Sequence, residues 1–327
     1  MKKIDILAIG DIVTDAFIRI KDASVTCDID HTHCKLCVAF GEKIPYESVD
    51  VVKAVGNSAN AAVSASRLGL SSALLSYVGD DAEGADCIEE LQKNNVITDF
   101  VRTEKGKKTN YHYVLWYDVE RTILIKHEQF SYGLGDIGKP RYIYLSSLGE
   151  NSLDYHHEIA EYVKNNPECK LVFQPGTFQI KLGKDTLKDI YAQTEIFFCN
   201  VEEAQKILDV NSRDVKSLMK GIALLGPKYV FITDGIEGAY AYDGTDSWFM
   251  PIYPHEPVER TGAGDAFAST IVSALALGLS TQEAIQWGPI NSMSVVQQVG
   301  AQRGLLTREK LEEYLKNAPD EYKVHQI

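Results

Sequence analysis

Glu259-Arg260-Thr261-Gly262-Ala263-Gly264-Asp265-Ala266-Phe267 runs from a small-residue turn into an apolar helical pattern that continues through Ile271 to Leu277. Small side chains let backbone N–H groups approach an anion, and the helix dipole favours negative charge at that end. Asp265 therefore stands in an odd place. A carboxylate beside an anion hole is electrostatically unfavourable unless its task is to take a proton from an attacking hydroxyl. In that reading the backbone of Gly262, Ala263 and Gly264 holds a phosphoryl group while Asp265 orients the nucleophile. The plainer alternative is that Gly262 and Gly264 shape a loop and Asp265 caps the helix. Short glycine-rich loops occur for both reasons.

Working outward, apolar runs alternate with helical patterns along the whole chain. Strands are expected at 4–9 (closed by Gly10), 72–78, 142–145, 171–174, 196–199 and 229–233. Helices are expected between them, among them 60–68, stopped by Gly69, and 83–94. Such alternation predicts an α/β fold with a mostly parallel sheet flanked by helices. Two segments break the rhythm: 12–45 has no clean helix, and 110–128 alternates as a hairpin does, with its turn at 118–121. Both read as strand insertions. They are expected to pack together as a small β-lid, formed by about 12–50 and 106–132 within a single domain spanning 1–327.

The bulk properties narrow the function classes. Hydrophobic content of 45% and charged content of 24% over 327 residues fit an ordinary folded domain. A formal net charge of −13 argues against a nucleic-acid or anionic-membrane partner. No apolar run reaches the roughly 18–20 residues needed to span a bilayer. Residues 1–10 read as a buried first strand and not a leader, because Asp5 and Asp11 interrupt the run and no small-residue cleavage site follows. The expected location is the cytoplasm, and the six cysteines are expected to be reduced thiols there. Cys27, His31, His33, Cys34 and Cys37 offer zinc-type ligands. They lack a second C-x-x-C or a well-spaced histidine pair, so they read as ordinary reduced lid residues. His112, His127, His156, His157, His255 and His325 show no triad-like local pattern.

The chain resembles the ribokinase-like (PfkB) carbohydrate kinase family. Residues 259–265 are similar to its C-terminal signature, Asp-Thr-x-Gly-Ala-Gly-Asp, with Glu259 and Arg260 in the first two places and Gly-Ala-Gly-Asp intact. Val55-Gly56-Asn57-Ser58-Ala59-Asn60-Ala61 resembles the N-terminal signature, Gly-Gly-x-x-x-Asn followed by Ala, with Val55 for the first glycine. Further matches keep family order: Gly10 to Asp15, Val78-Gly79-Asp80-Asp81 to Gly84, Asn200 to Glu203, and Thr233-Asp234-Gly235 to Gly238.

The resemblance implies a ribokinase-like fold and transfer of the γ-phosphoryl group of ATP to a hydroxyl, with Mg²⁺ present. Asp265 would be the base and Gly262, Ala263 and Gly264 the anion hole. Asp15, with Asp11 nearby, and Gly56, Asn57 and Asn60 would meet the substrate. Asn200 and Glu203 would place Mg²⁺ through water, and Thr233, Gly235 and Gly238 the nucleotide phosphates. The segment around Asn291, Val295 and Ala301 would border the adenine. Each has a bland counterpart: a turn-stabilising Asp15, a helix-capping Asn57, a capping box at Asn200 and Glu203, and glycines serving only as turns. K⁺ activation, seen in part of the family, stays open with Glu259 in place of Asp. A nucleoside kinase of the same fold and a non-catalytic sugar-binding regulator are the competing readings. The matched substrate positions carry no fixed positive charge, so a neutral polyol is expected and not a sugar phosphate. Lys53, Arg121, Lys126 and His127 lie in lid segments able to swing over the site. Exposed lid edges tend to pair, so a homodimer through the lid is expected.

Overall fold

The structure is a computed structural model that describes residues 3–28, 34–118 and 120–327. Its main sheet has ten strands. From one edge the order is Val101–Glu104, Ser72–Gly79, Ile6–Ile9, Tyr142–Leu145, Lys170–Phe173, Thr194–Asn200 and Tyr229–Thr233. These seven pair parallel. Their near-continuous apolar runs follow from burial on both faces of the sheet. Ile6–Ile9 and Ser72–Gly79 are buried along their whole length. Two separate apolar cores lie on the two sides, one built on Ala8, Leu74 and Tyr144, the other on Leu7, Ile9 and Leu145. Three further strands continue the sheet antiparallel: Ala239–Tyr242, Ser247–Met250 and His325–Gln326.

Asn57–Arg67, rich in alanine, and Ala263–Ala276 both carry small residues and bury most of their length, Ser58–Ala65 of the first and Ala266–Ala274 of the second. Gly69, with φ of 91°, follows the first of them in the conformation that suits a helix stop.

A second sheet forms the lid, in the order Tyr46–Val55, Val13–Ile20, Asn110–Tyr117, Glu120–Leu124. Three of the four strands lie within the spans expected to form the lid, about 12–50 and 106–132; Tyr46–Val55 begins inside the first of these and runs on for half its length beyond it. The inner face buries Phe17, Val52 and Val114. On the outer face the register lines up Val51, Ala16, Tyr113 and Leu124 in one row and Val49, Ile18 and Leu115 in the next. Val49, Val51, Tyr113 and Leu124 are each 44–52% exposed there.

A short hairpin, Ser24–Thr26 with Lys35–Cys37, extends from the lid. Its register pairs Thr26 with Lys35, so the next positions, Cys27 and Cys34, face each other with Cα atoms 4.0 Å apart and form a disulfide. This corrects the expectation of six reduced thiols. Cys37 is free and exposed, and Cys87, Cys169 and Cys199 are free and buried. His31 and His33 lie outside the described residues. Among the described residues no group of three or more His, Cys, Asp or Glu is placed to hold a metal, and no helix is long and apolar enough to cross a membrane.

Candidate active site

Ligands of open α/β sheets meet the carboxyl ends of the strands. Here Asp11, Ser147, Gln174, Asn200 and Thr233 stand at or just beyond such ends and line one cavity of about 400 Å³. The lid contributes Asp15, His112, Arg121 and Ile123, and the start of the Ala263–Ala276 helix closes the floor. Gly262 precedes that helix with φ of 83°, and a Cβ on it would sit 2.4 Å from the Ala301 Cβ. No side chain is possible there. Gly264 is exposed, with nothing within 4 Å of where its Cβ would be. The first-turn amides lack intrahelical partners, so an anion can reach them.

Asp265, the third residue of this helix, makes no capping bond. Its Oδ1 accepts from Asn57 Nδ2 at 2.8 Å and Gln174 Nε2 at 3.1 Å, and its Oδ2 from Asn60 Nδ2 at 2.8 Å. The capping reading is therefore replaced by a carboxylate held by three side-chain amides. Burial pushes its carboxyl above the ordinary range, while the amides and the Arg121 charge pull the other way. Asn57 and Asn60 line the cavity, but the sequence expectation missed that both donate to Asp265. Gln302 Nε2 donates to Asn60 Oδ1 at 3.0 Å, which turns the Asn60 NH₂ toward Asp265, and to the Ala54 carbonyl at 2.6 Å. The backbone turns from lid to helix through φ of 57° at Ala54 and 112° at Gly56. Val55 between them pairs with Val13 in the lid sheet. A Cβ on Gly56 would lie 2.6 Å from the Asp11 carbonyl oxygen.

Asp11 and Asp15 are both buried at the cavity wall. Asp11 accepts from the Tyr132 hydroxyl at 2.8 Å and is bonded to His127 Nδ1 at 2.9 Å. Asp15 Oδ1 lies 3.4 Å from His112 Nδ1 and has no hydrogen bond. Arg121 Nε stands 3.6 Å from Glu259 Oε1. Glu259 is fully buried. Its Oε1 accepts from the Thr261 amide at 2.7 Å and hydroxyl at 2.6 Å, and its Oε2 has no partner. The matched substrate positions carry no cation, but Arg121, one of the lid residues expected to be able to reach the site, lines the cavity, as does Arg260. Lys53 instead pairs with Asp86 at 2.7 Å.

Asn200 and Glu203 form a reciprocal capping box, at 2.8 Å and 2.9 Å, and also line the cavity. Burial raises the Glu203 carboxyl, with nearby Asp265 adding to the effect. A second cavity of about 300 Å³ adjoins the first and is lined by Gly235, Gly238, Ile252, His255, Pro289 and Met293. Thr233, Arg260, Ala263, Gly264 and Phe267 belong to both. Gly238, with φ of 105°, has no room for a Cβ, which would lie 2.5 Å from the Met250 carbonyl oxygen. Asn291 is corrected: it is fully buried, donates to Thr270 Oγ1 at 2.7 Å and accepts from the Leu306 amide at 2.9 Å. The adjacent Ser292 and Met293 line the cavity in its place.

Sequence reasoning also missed Gln174, Gln302 and His112. Gln174 directly follows an apolar strand, which was the one local signal. Gln302 and His112 carried none.

Comparison with known proteins agrees with this geometry. The family model for pfkB family carbohydrate kinase matches residues 23–308. The ribokinase of Bacillus subtilis is 26% identical over 274 residues, covering 80% of this chain and 87% of its own. The cytidine kinase of Thermococcus kodakarensis is 34% identical over 119 residues, 36% of this chain and 42% of its own. Among solved structures, Arabidopsis thaliana ribokinase complexed with ribose and ATP superposes with a TM-score of 0.75 at 19% identity, covering 96% of this chain and 99% of that one. The chain belongs to the pfkB family of carbohydrate kinases.

Proposed function

We propose that the chain transfers the γ-phosphoryl group of ATP to a hydroxyl of a neutral sugar. The observation that carries this reading is Asp265, a carboxylate held by three amides beside the open first-turn amides, where the two cavities meet. The acceptor occupies the larger cavity and ATP the smaller. Asp265 takes the hydroxyl proton as the oxygen attacks phosphorus. The bond from phosphorus to the β,γ-bridging oxygen breaks, and ADP leaves. The backbone at Gly262, Ala263 and Gly264, with Arg121, stabilises the charge on the transferring group. Glu203, whose capping box uses Oε2 alone, suits Mg²⁺ held through water, an ion that neutralises phosphate charge when bound. The unpartnered Glu259 Oε2 is the oxygen a K⁺ ion would use.

Arg121 does not argue for a phosphorylated acceptor. Its Nε stands 3.6 Å from Glu259 Oε1 and its charge acts on Asp265, the proposed base. A nucleoside acceptor is the second reading, favoured by Ile123, Ile125 and Phe178, an apolar lining broad enough to contact a base. ADP release measured with free sugars, nucleosides and sugar monophosphates decides among them. The highest kcat/KM is expected for a free sugar. A preference for a monophosphate, lost on Arg121→Ala, would overturn the neutral-acceptor reading. The apolar outer rows of the lid supply the surface for a homodimer, since an exposed patch of this kind marks an interaction site.

A further inference from the structure

We infer that His112 and His127 grip the acceptor together with Asp15, and that Asp11 acts through His127 and not on the acceptor itself. This rests on the acceptor site proposed above and names the groups that recognise the substrate there.

The accounting of polar atoms separates the two acids. Both oxygens of Asp11 are taken inside the protein, one by Tyr132 at 2.8 Å and one by His127 at 2.9 Å. Tyr132 is itself held, since its oxygen accepts from the Gly149 amide at 3.2 Å and its ring stacks on Tyr155 at 5.6 Å. Asp11 is thus fixed. A carboxylate only accepts, so the Nδ1 of His127 carries the proton, which leaves Nε2 for another partner. Phe178 meets the His127 ring edge-on at 5.5 Å and limits its rotation.

Asp15 and His112 show the opposite pattern. They are directly paired across two parallel lid strands and exposed by only 7% and 9%. Asp15 Oδ1 and His112 Nε2 are both buried without a hydrogen bond, while both side chains line the cavity. Buried polar atoms without partners are costly and rare in native proteins. A ligand hydroxyl removes the cost, because it donates to the carboxylate and accepts from, or donates to, an imidazole nitrogen. The rings of His112 and His127 lie 5.3 Å apart and both residues line the same cavity, which puts them within reach of one ligand. The ligand class that follows is a polyol with at least two hydroxyls besides the one phosphorylated.

The test measures steady-state kinetics of wild type, His112→Gln, His127→Phe, Asp11→Asn and the Asp11→Asn/His127→Phe double variant, with the best acceptor found in the panel. Acceptor KM is expected to rise about tenfold or more in each histidine variant, the usual effect of losing one such hydrogen bond, with ATP KM unchanged. Asp11→Asn is expected to raise acceptor KM alone but to add nothing once His127 is replaced by Phe. A merely structural role for Asp11 would add in full, and that result overturns its assignment. Acceptors lacking one hydroxyl, tested on wild type, need no variant to fold; a loss of about tenfold is expected for two different hydroxyls. Unchanged acceptor KM in both histidine variants, or deoxy acceptors as good as the parent, overturns the inference while leaving the kinase reading intact. A wild type that phosphorylates no polyol overturns both.

Discussion

Replacing Asp265 by asparagine tests the chemistry and the electrostatics of the site together. The carboxylate receives three N–H groups, two on Oδ1 and one on Oδ2. An asparagine offers one oxygen, so its NH₂ must confront a donor. Asn60 cannot turn to accept it without breaking the 3.0 Å bond from Gln302. One mismatched buried pair costs about 1–3 kcal/mol. Against this stands the buried charge. Burial raises the Asp265 carboxyl above its unfolded value near 3.9, so the folded chain binds this proton more tightly than the unfolded chain. The wild type then loses stability from this group as pH rises from about 4 through the raised folded pKa, and the loss is constant above that. The Asp265→Asn variant carries no such dependence at this position. Urea unfolding across this range should find the variant weakest relative to wild type at pH about 4 and below, gaining as pH rises, then levelling off. Turnover should fall by about 10²–10⁴-fold above the raised pKa, the usual effect of losing a general base, and by less below it, where the wild-type carboxyl is itself protonated. Near wild-type turnover would refute Asp265 as the base. A stability difference flat with pH would refute the electrostatic account.

Gln302→Leu should remove the donor that orients Asn60 and holds the Ala54 carbonyl, leaving two buried acceptors without it. A loss of about 1–3 kcal/mol for each group is expected by chemical denaturation, with kcat lowered more than ATP affinity; unchanged kcat would show that Asn60 needs no such support. Val51→Glu with Leu124→Glu places charge on the outer apolar row of the lid. Light scattering should show a wild-type dimer and a monomeric variant with its fold intact, and a monomeric wild type at high concentration would end the dimer proposal.

Residue sequence revealed what local pattern encodes. Strands such as Tyr142–Leu145 and Tyr229–Thr233 were legible to the residue because each is a short apolar run between polar flanks. The antiparallel end of the sheet was not, because Ala239–Tyr242, Ser247–Met250 and His325–Gln326 are too short to show a period. Asp265 was legible because its glycines are adjacent to it. Gln174 and Gln302 were not, since their contacts cross 91 and 242 residues of chain. Asn291 faces the core while its neighbour Ser292 lines the smaller cavity, because one residue on an α-helix is a turn of about 100°. The two cysteines of the lid arm show how little spacing alone decides: seven residues apart, they meet only because the hairpin register opposes them.

The two cavities share a wall made of Thr233, Arg260, Ala263, Gly264 and Phe267. A single compound joining an acceptor mimic to a nucleotide mimic would therefore bridge one helical turn and not a separate channel. Once one half is seated, the other is held at an effective concentration set by a short tether, so its capture becomes intramolecular. The best tether is the one that just spans Gly264, and lengthening it should weaken binding steadily. A ladder of such linked inhibitors would measure, from outside, how far apart the protein holds its two substrates.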